Sequence, residues 1–258
     1  LSDSLPKLIS EKEAAERAEA LRKTYSILYE TSFKKVLGQV PVEMVLPTED
    51  CLEADKLVAT VKAFLYENYR VPTICLKLPN KRVYVIDGHH RLLVHKLFKE
   101  NVMNSYILSP EGEIEYYKPV RSIMDLSIIN MPLSRTNIPF LTAVKIVLYY
   151  RRIYGDVFHL EHRNVDVLSL IPTQSSISVE GLEYWRDEYS PITCLEYLNK
   201  LYILDGHTRA FAKMLKGEHS AEALVIKSGV SLDLKIVETA GKLGLSSIKD
   251  VKIIDAMP

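Results

Sequence analysis

Tyr84-Val85-Ile86-Asp87-Gly88-His89-His90-Arg91 and Tyr202-Ile203-Leu204-Asp205-Gly206-His207-Thr208-Arg209 spell one pattern twice in a chain of 258 residues. In each copy an apolar run stops at Asp-Gly-His and an arginine follows. A stretch of helical character comes next, Leu92 to Leu97 in the first copy and Ala210 to Leu215 in the second. Matching polar clusters at two strand-to-helix junctions imply an internal duplication. A repeat of this length governs the fold before any local reading does.

Further landmarks flank the motif. Leu46-Pro47-Thr48-Glu49 is answered by Ile171-Pro172-Thr173-Gln174, and Ser122-Ile123-Met124-Asp125 by Ser247-Ile248-Lys249-Asp250, each pair 125 residues apart. The prolines and cysteines Pro72, Cys75 and Pro191, Cys194 match at 119 residues, and the motif aspartates at 118. The order never changes. The halves therefore fall at about 1–132 and 133–258. The first carries extra residues between Glu49 and Pro72, the second after its motif. Each is long enough to bury a core of its own.

Local signals give the elements. Ser10 with Glu13 spells a capping box, and a helix is expected from there to Tyr29, with apolar residues spaced by three and four. Its counterpart runs from Phe140 to Tyr154 and is stopped by Gly155. In copy one, strands are expected at 40–46, 73–78, 82–86 and 105–108, with helices at 52–66 and 91–99. In copy two, strands are expected at 165–170, 192–197, 201–204 and 223–226, with helices at 179–187 and from Arg209 onward. Mixed strands and helices in each half give an α+β (mixed α/β) class.

Composition narrows the function. Lys+Arg and Asp+Glu both number 33. Such a balance argues against general nucleic-acid binding, which needs excess cations to displace phosphate counterions. The three cysteines include no CxxC pair, and Cys75 and Cys194 sit in apolar runs, as buried thiols in a reducing compartment would. No membrane span and no secretory leader are expected, and the cytoplasm is the expected location.

The motif carries the chemistry. A helix that opens just after Gly88 aims unpaired backbone N–H groups at whatever lies over the loop, and its dipole favours an anion, above all phosphate. Gly88 allows close approach to the backbone. His89, His90 and Arg91 can donate to phosphate oxygens. Asp87 can cap the helix, orient a histidine or help hold a metal ion. Asp205, Gly206, His207, Thr208 and Arg209 repeat the loop. Glu49 is the second candidate, because a carboxylate can take a proton from an alcohol. Copy two has Gln174 there, which can only hydrogen-bond. It also has Thr208 in place of His90. Copy one is thus the expected catalytic half, and copy two the expected non-catalytic or regulatory one.

On these residues each half resembles the ParB/sulfiredoxin superfamily, over roughly 38–108 and 165–227. Pro47-Thr48-Glu49 with Asp87-Gly88-His89-His90-Arg91 is most similar to the archaeal ADP-dependent free serine kinases. The resemblance implies two tandem domains packed as a pseudo-dimer. It also implies a kinase that moves a phosphoryl group from ADP or ATP, with Mg²⁺, to a small hydroxyl acceptor, free L-serine first. Glu49 would be the base, Asp87 and His90 further catalytic residues, the 88–91 loop the phosphate site, and Asp87 the metal contact. A sulfiredoxin would need a reactive cysteine where His89 and His90 stand. A ParB-like DNA-associated protein would need a helix-turn-helix region. A non-catalytic nucleotide sensor is the alternative from a different class.

Overall fold

The computed structural model describes residues 5–230, 232 and 234–255, so the outermost residues of both expected halves lie outside the description. The chain divides into two compact units, Leu1–Leu133 and Ser134–Pro258. Unit 1 runs α1 (Glu11–Leu28), β1 (Phe33–Pro41), β2 (Val45–Pro47), β3 (Cys51–Glu53), α2 (Ala54–Tyr66), β4 (Thr73–Lys77), β5 (Val83–Asp87), α3 (His89–Leu97), β6 (Val102–Pro110) and β7 (Ser127–Ile129). Unit 2 runs α4 (Ile138–Tyr154), β8 (Phe158–Asp166), β9 (Leu170–Ile171), β10 (Ser176–Ser178), α5 (Val179–Trp185), β11 (Ile192–Tyr197), β12 (Lys200–Asp205), α6 (His207–Leu215), β13 (Ser220–Ser228), α7 (Lys235–Lys242) and β14 (Lys252–Ile254). The class is α+β, with two similar sheet-and-helix halves.

Each unit is built on a five-stranded mixed sheet, ordered β1-β6-β4-β5-β2 in unit 1 and β8-β13-β11-β12-β9 in unit 2. The pairing is the same in both. The outer long strands are antiparallel (β1 with β6, β8 with β13), the next pairs parallel, the motif hairpins antiparallel, and the short β2 and β9 parallel to the motif strands. β4 is buried at Thr73, Ile74, Cys75 and Leu76, as befits a central strand covered on both faces. A second, two-stranded parallel sheet joins β3 to β7 and, likewise, β10 to β14.

Local chemistry fixes the element ends. The Ser10 hydroxyl accepts from Glu13 N–H, and the Glu13 carboxylate accepts from Ser10 N–H at 2.7 Å, completing the capping box of α1. The matched Ser122…Asp125 and Ser247…Asp250 pairs form the same box on single 3-10 turns. α3 buries Leu92, Leu93, Val94 and Leu97 almost completely. Each such side chain contributes roughly 1.5–3 kcal/mol of hydrophobic stabilisation, so the helix carrying the motif is anchored in the core.

Several boundaries differ from the sequence expectation. The strand expected at 40–46 is two strands separated by a 3-10 turn, and β1 begins at Phe33. In β1 the fully buried residues are Phe33 and Val40. With Val36 and Leu37 exposed on an edge strand, the alternation that announces a strand is missing. β8 similarly starts at Phe158 rather than 165. The helix α3 begins at His89 rather than Arg91, and α6 at His207 rather than Arg209. The histidines therefore lie in the first helical turn, not in the loop before it. The extra residues of copy two fold in part into α7.

Candidate functional site

β5 ends at Asp87 and α3 begins at His89, so a single residue, Gly88, turns the chain. Its φ of 104° lies in the left-handed region. A Cβ there would also come within 2.8 Å of Arg91 Nε and Nη2 and of Thr73 Cγ2. Glycine is required twice, for backbone angle and for space. The Arg91 guanidinium lies under the loop, where Nη1 donates to the Pro72 carbonyl at 2.8 Å and Nη2 sits 3.5 Å from Asp87 Oδ1. Arg91, expected as a phosphate ligand, thus braces the loop from beneath while still bordering the cleft. Its side chain is 8% exposed, and those contacts face the protein's own carbonyl and carboxylate.

Gly88 offers no side-chain cap. The first helical bond of the turn is Leu92 N–H to Gly88 C=O at 2.9 Å. The N–H groups of His89, His90 and Arg91 thus precede the intrahelical ladder, and the positive end of the helix dipole faces outward at this point.

His89 reaches back to the strand-loop of the Pro47-Thr48-Glu49 landmark. Its Nε2 accepts from Thr48 N–H at 3.0 Å and Glu49 N–H at 3.3 Å. The Thr48 hydroxyl is occupied in donating to the Val85 carbonyl at 2.9 Å. A ring nitrogen that accepts carries no proton, so the hydrogen-bond pattern assigns the neutral ring's proton to Nδ1. Nδ1 lies 3.2 Å from Glu49 Oε1. His89 therefore positions the Glu49 carboxylate, and its hydrogen bond pulls the Glu49 pKa below the ordinary value despite partial burial. The Glu49 side chain remains 52% exposed. It is ionised at neutral pH, anchored at one oxygen and open to an incoming group.

His90 is placed differently. Its Nε2 is buried without a hydrogen-bond partner. The nearest acid is Glu53, with Oε2 at 3.4 Å. Burial lowers the His90 pKa, against the opposing pull of Glu53 and Glu49. Glu53 was not among the residues singled out from sequence. It stands at the N-cap of α2 yet makes no capping hydrogen bond. Its carboxylate instead meets Lys56 Nζ at 2.8 Å. The one sequence signal that would have found it is its counterpart, Ser178, 125 residues on.

Asp87 was expected as a metal contact. Its Oδ1 faces Arg91, and its Oδ2 lies 3.6 Å from Arg17 of α1. A carboxylate set between two guanidinium groups is a poor donor for a divalent cation. Among the described residues no group of three or more His, Cys, Asp or Glu is placed to hold a metal. The donor set does not fit a resident Mg²⁺, and no step is derived through one. Arg17, like Glu53, escaped the sequence reading, because nothing along the chain ties α1 to the motif.

These groups line one cleft of about 670 Å³, walled by the Glu49, Glu53 and Asp87 carboxylates, both histidines and the 6–9 segment. Tyr69 OH fixes that segment by donating to the Ile9 carbonyl at 2.9 Å. The volume lies within the range of small-molecule and cofactor sites, roughly 300–1,000 Å³.

Unit 2 keeps the scaffold and loses the chemistry. Gly206 has φ 94°, and a Cβ there would meet Arg209 Nη2 at 2.7 Å. Arg209 Nη2 donates to Pro191 C=O and to Asp205 Oδ2. His207 Nε2 accepts from Thr173 N–H at 3.0 Å, the same bond as His89 makes. Burial pushes the His207 pKa down to about 4. In the Glu49 position, however, Gln174 turns its amide to the Ser176 carbonyl. Trp185 lies across the Arg209 guanidinium at 5.0 Å and borders what remains of the cleft, about 170 Å³. That volume is below the range for nucleotide-sized ligands.

The fold and the site define a duplicated α+β chain with a polar cleft over a strand–glycine–helix junction in unit 1 and a reduced copy in unit 2. No family model matches the chain. A stretch of 139 residues is 32% identical to an uncharacterized protein of Methanocaldococcus jannaschii, covering 50% of this chain and 52% of that protein. The chain thus spans about half the length of that curated relative. A crystal structure of a protein from Agrobacterium tumefaciens aligns over 36% of this chain and 62% of that one, at 17% identity and a TM-score of 0.27. No helix among the described residues is long and apolar enough to cross a membrane.

Proposed function

We propose that unit 1 is a small-molecule kinase. It transfers a phosphoryl group from ADP or ATP to a hydroxyl acceptor, with free L-serine as first choice, and the two units are a fused pair of ParB/sulfiredoxin-type domains. One observation carries the reading: a carboxylate, Glu49, is held by a histidine of fixed tautomer beside an uncapped helix N-terminus, in a cleft of nucleotide size. In phosphoryl transfer a protein mainly positions reactants and stabilises charge. The α3 N-terminus supplies N–H donors for phosphate oxygens. Glu49 accepts the acceptor's hydroxyl proton as the oxygen attacks phosphorus. Arg91 and Gly88 hold the loop in shape, and Asp87 keeps Arg91 and Arg17 in place. Mg²⁺ would enter with the nucleotide and neutralise phosphate charge. Unit 2, with Gln174 in the Glu49 position and a pocket of about 170 Å³, fits a non-catalytic half better than a second catalytic centre.

The test is a ³¹P NMR screen of the purified protein with ADP or ATP, Mg²⁺ and a panel of hydroxyl compounds headed by L-serine. A phosphomonoester that fails to form with Glu49→Gln supports the reading. Nucleotide binding with no phosphorylated product from any acceptor replaces it with the sensor.

A further inference from the structure

The two units form an internal comparison, because the same scaffold was kept with and without the polar groups. Four side chains face the unit 1 cleft as two imidazole–carboxylate pairs, His89 with Glu49 and His90 with Glu53. In unit 2 the first histidine survives as His207, while Glu49 becomes Gln174. His90 becomes Thr208 and Glu53 becomes Ser178. Both members of the second pair are therefore lost together. The equivalence is structural as well as sequential. Glu53 and Ser178 are the N-cap residues of α2 and α5 and the last residues of the matched strands β3 and β10. His90 and Thr208 are the second residues of α3 and α6.

The ordinary role for an acid at a helix N-cap is to accept from the helix's own N–H groups. Ser178 does this, accepting from Gly181 N–H at 3.0 Å. Glu53 does not. Its carboxylate is turned to His90 and Lys56, at the expense of the cap. His90 in turn has a buried Nε2 with no hydrogen-bond partner, which costs stability unless a bound state uses it.

We propose that Glu53 is a positioning residue of this cleft, holding His90 so that the imidazole takes up a proton when a phosphate-bearing anion settles on the N-terminus of α3. The proposal rests on the nucleotide-binding reading of unit 1. In the absence of the anion, burial keeps the ring neutral. The charged groups facing it are Glu53 and Lys56 of α2 and Glu49 of the strand-loop, with Lys56 opposing protonation and the two acids favouring it. A phosphate group arriving beside the ring adds negative charge and tips this balance toward the imidazolium. The proton comes from the buffer and stays on the ring, with Nε2–H turned to Glu53 Oε2. No other bond changes. The second pair would thus supply a cation only when there is an anion to meet it.

Isothermal titration calorimetry of ADP binding at pH 7, in two buffers of different ionisation enthalpy, measures the protons exchanged. His90→Thr/Glu53→Ser provides the baseline, including the ligand's own titration. Unit 2 already carries these residues at the same positions, so the fold is expected to persist. Wild type should take up about half a proton or more per ADP beyond that baseline. Glu53→Gln should lose most of the excess while still binding ADP. Wild-type affinity should also fall with rising pH, by up to about tenfold per pH unit, more steeply than in the double variant. A structural role for Glu53 would alter stability and leave proton uptake unchanged. ADP binding with equal uptake in all three proteins overturns the proposal and leaves the nucleotide reading standing. Absence of binding of both ADP and ATP in wild type overturns both.

Discussion

Replacing Gly88 by alanine tests the loop on which the site is built, independently of any activity. The new Cβ would sit 2.8 Å from Arg91 Nε, from Arg91 Nη2 and from Thr73 Cγ2. The backbone would hold an alanine at φ 104°. The left-handed conformation alone costs about 1–2 kcal/mol for a residue with a Cβ. Overpacking adds typically about 1–3 kcal/mol. Arg91 can retreat only by loosening its 2.8 Å hydrogen bond to the Pro72 carbonyl. The total expected is about 2–5 kcal/mol, read as a lowered urea midpoint at unchanged slope. Gly38→Ala is the control, since a Cβ there would meet only Ile107 Cδ1, at an ordinary 3.5 Å. That change should stay within about 1 kcal/mol. A Gly88→Ala protein destabilised no more than Gly38→Ala would refute the interlock of glycine and arginine. Arg91 would then no longer count as a strut beneath the loop.

Glu49→Gln keeps the side-chain shape and an oxygen to accept from His89, so ADP affinity should hold while turnover of the phosphorylated product falls by roughly 10²–10⁴-fold in the ³¹P assay. Near wild-type turnover would take Glu49 out of the mechanism. His95 and His207 are buried neutral, each with its pKa lowered to about 4. The unfolded chain binds their protons first, so stability present above about pH 6.5 is lost as pH falls toward 4, by up to about 3 kcal/mol for each. His95 Nδ1 is buried without a partner and the ring packs edge-on to Phe64 at 5.6 Å. His95→Leu should therefore flatten the acid slope of urea stability with little loss at pH 7, and an unchanged slope would contradict the assignment. Trp185 is the chain's one tryptophan and borders the reduced loop of unit 2. A ligand that settles on that loop should change Trp185 emission saturably, and no change on titration with ADP would count against ADP binding in unit 2.

The sequence by itself determined the duplication, the α+β class and the strand–glycine–helix junctions, because each rests on signals a few residues long. Ser10 with Glu13 and Gly155 after Tyr154 are local capping devices, and they form as their spacing predicts. Glu49 against Gln174 was also legible, since a repeated chain supplies its own comparison. Edge strands were less so. β1 shows its outer residues to solvent, and its existence depends on a nine-residue ladder with β6 that no periodicity along the chain announces.

The contacts of the site residues were decided by tertiary structure alone. Arg91 reads as a ligand in sequence, but 87–91 folds back on 71–72 and its Nη1 donates to the carbonyls there. His89 acquires a tautomer only because Thr48 N–H, 41 residues earlier, meets its ring. Glu53 and Arg17 reach the cleft from α2 and α1, and Trp185 narrows the second pocket from α5. Backbone conformation is set largely by neighbours in sequence, and so it can be read from them. The direction of a side chain, and whether its donors face a ligand or a carbonyl, depends on segments that the chain brings together from far apart.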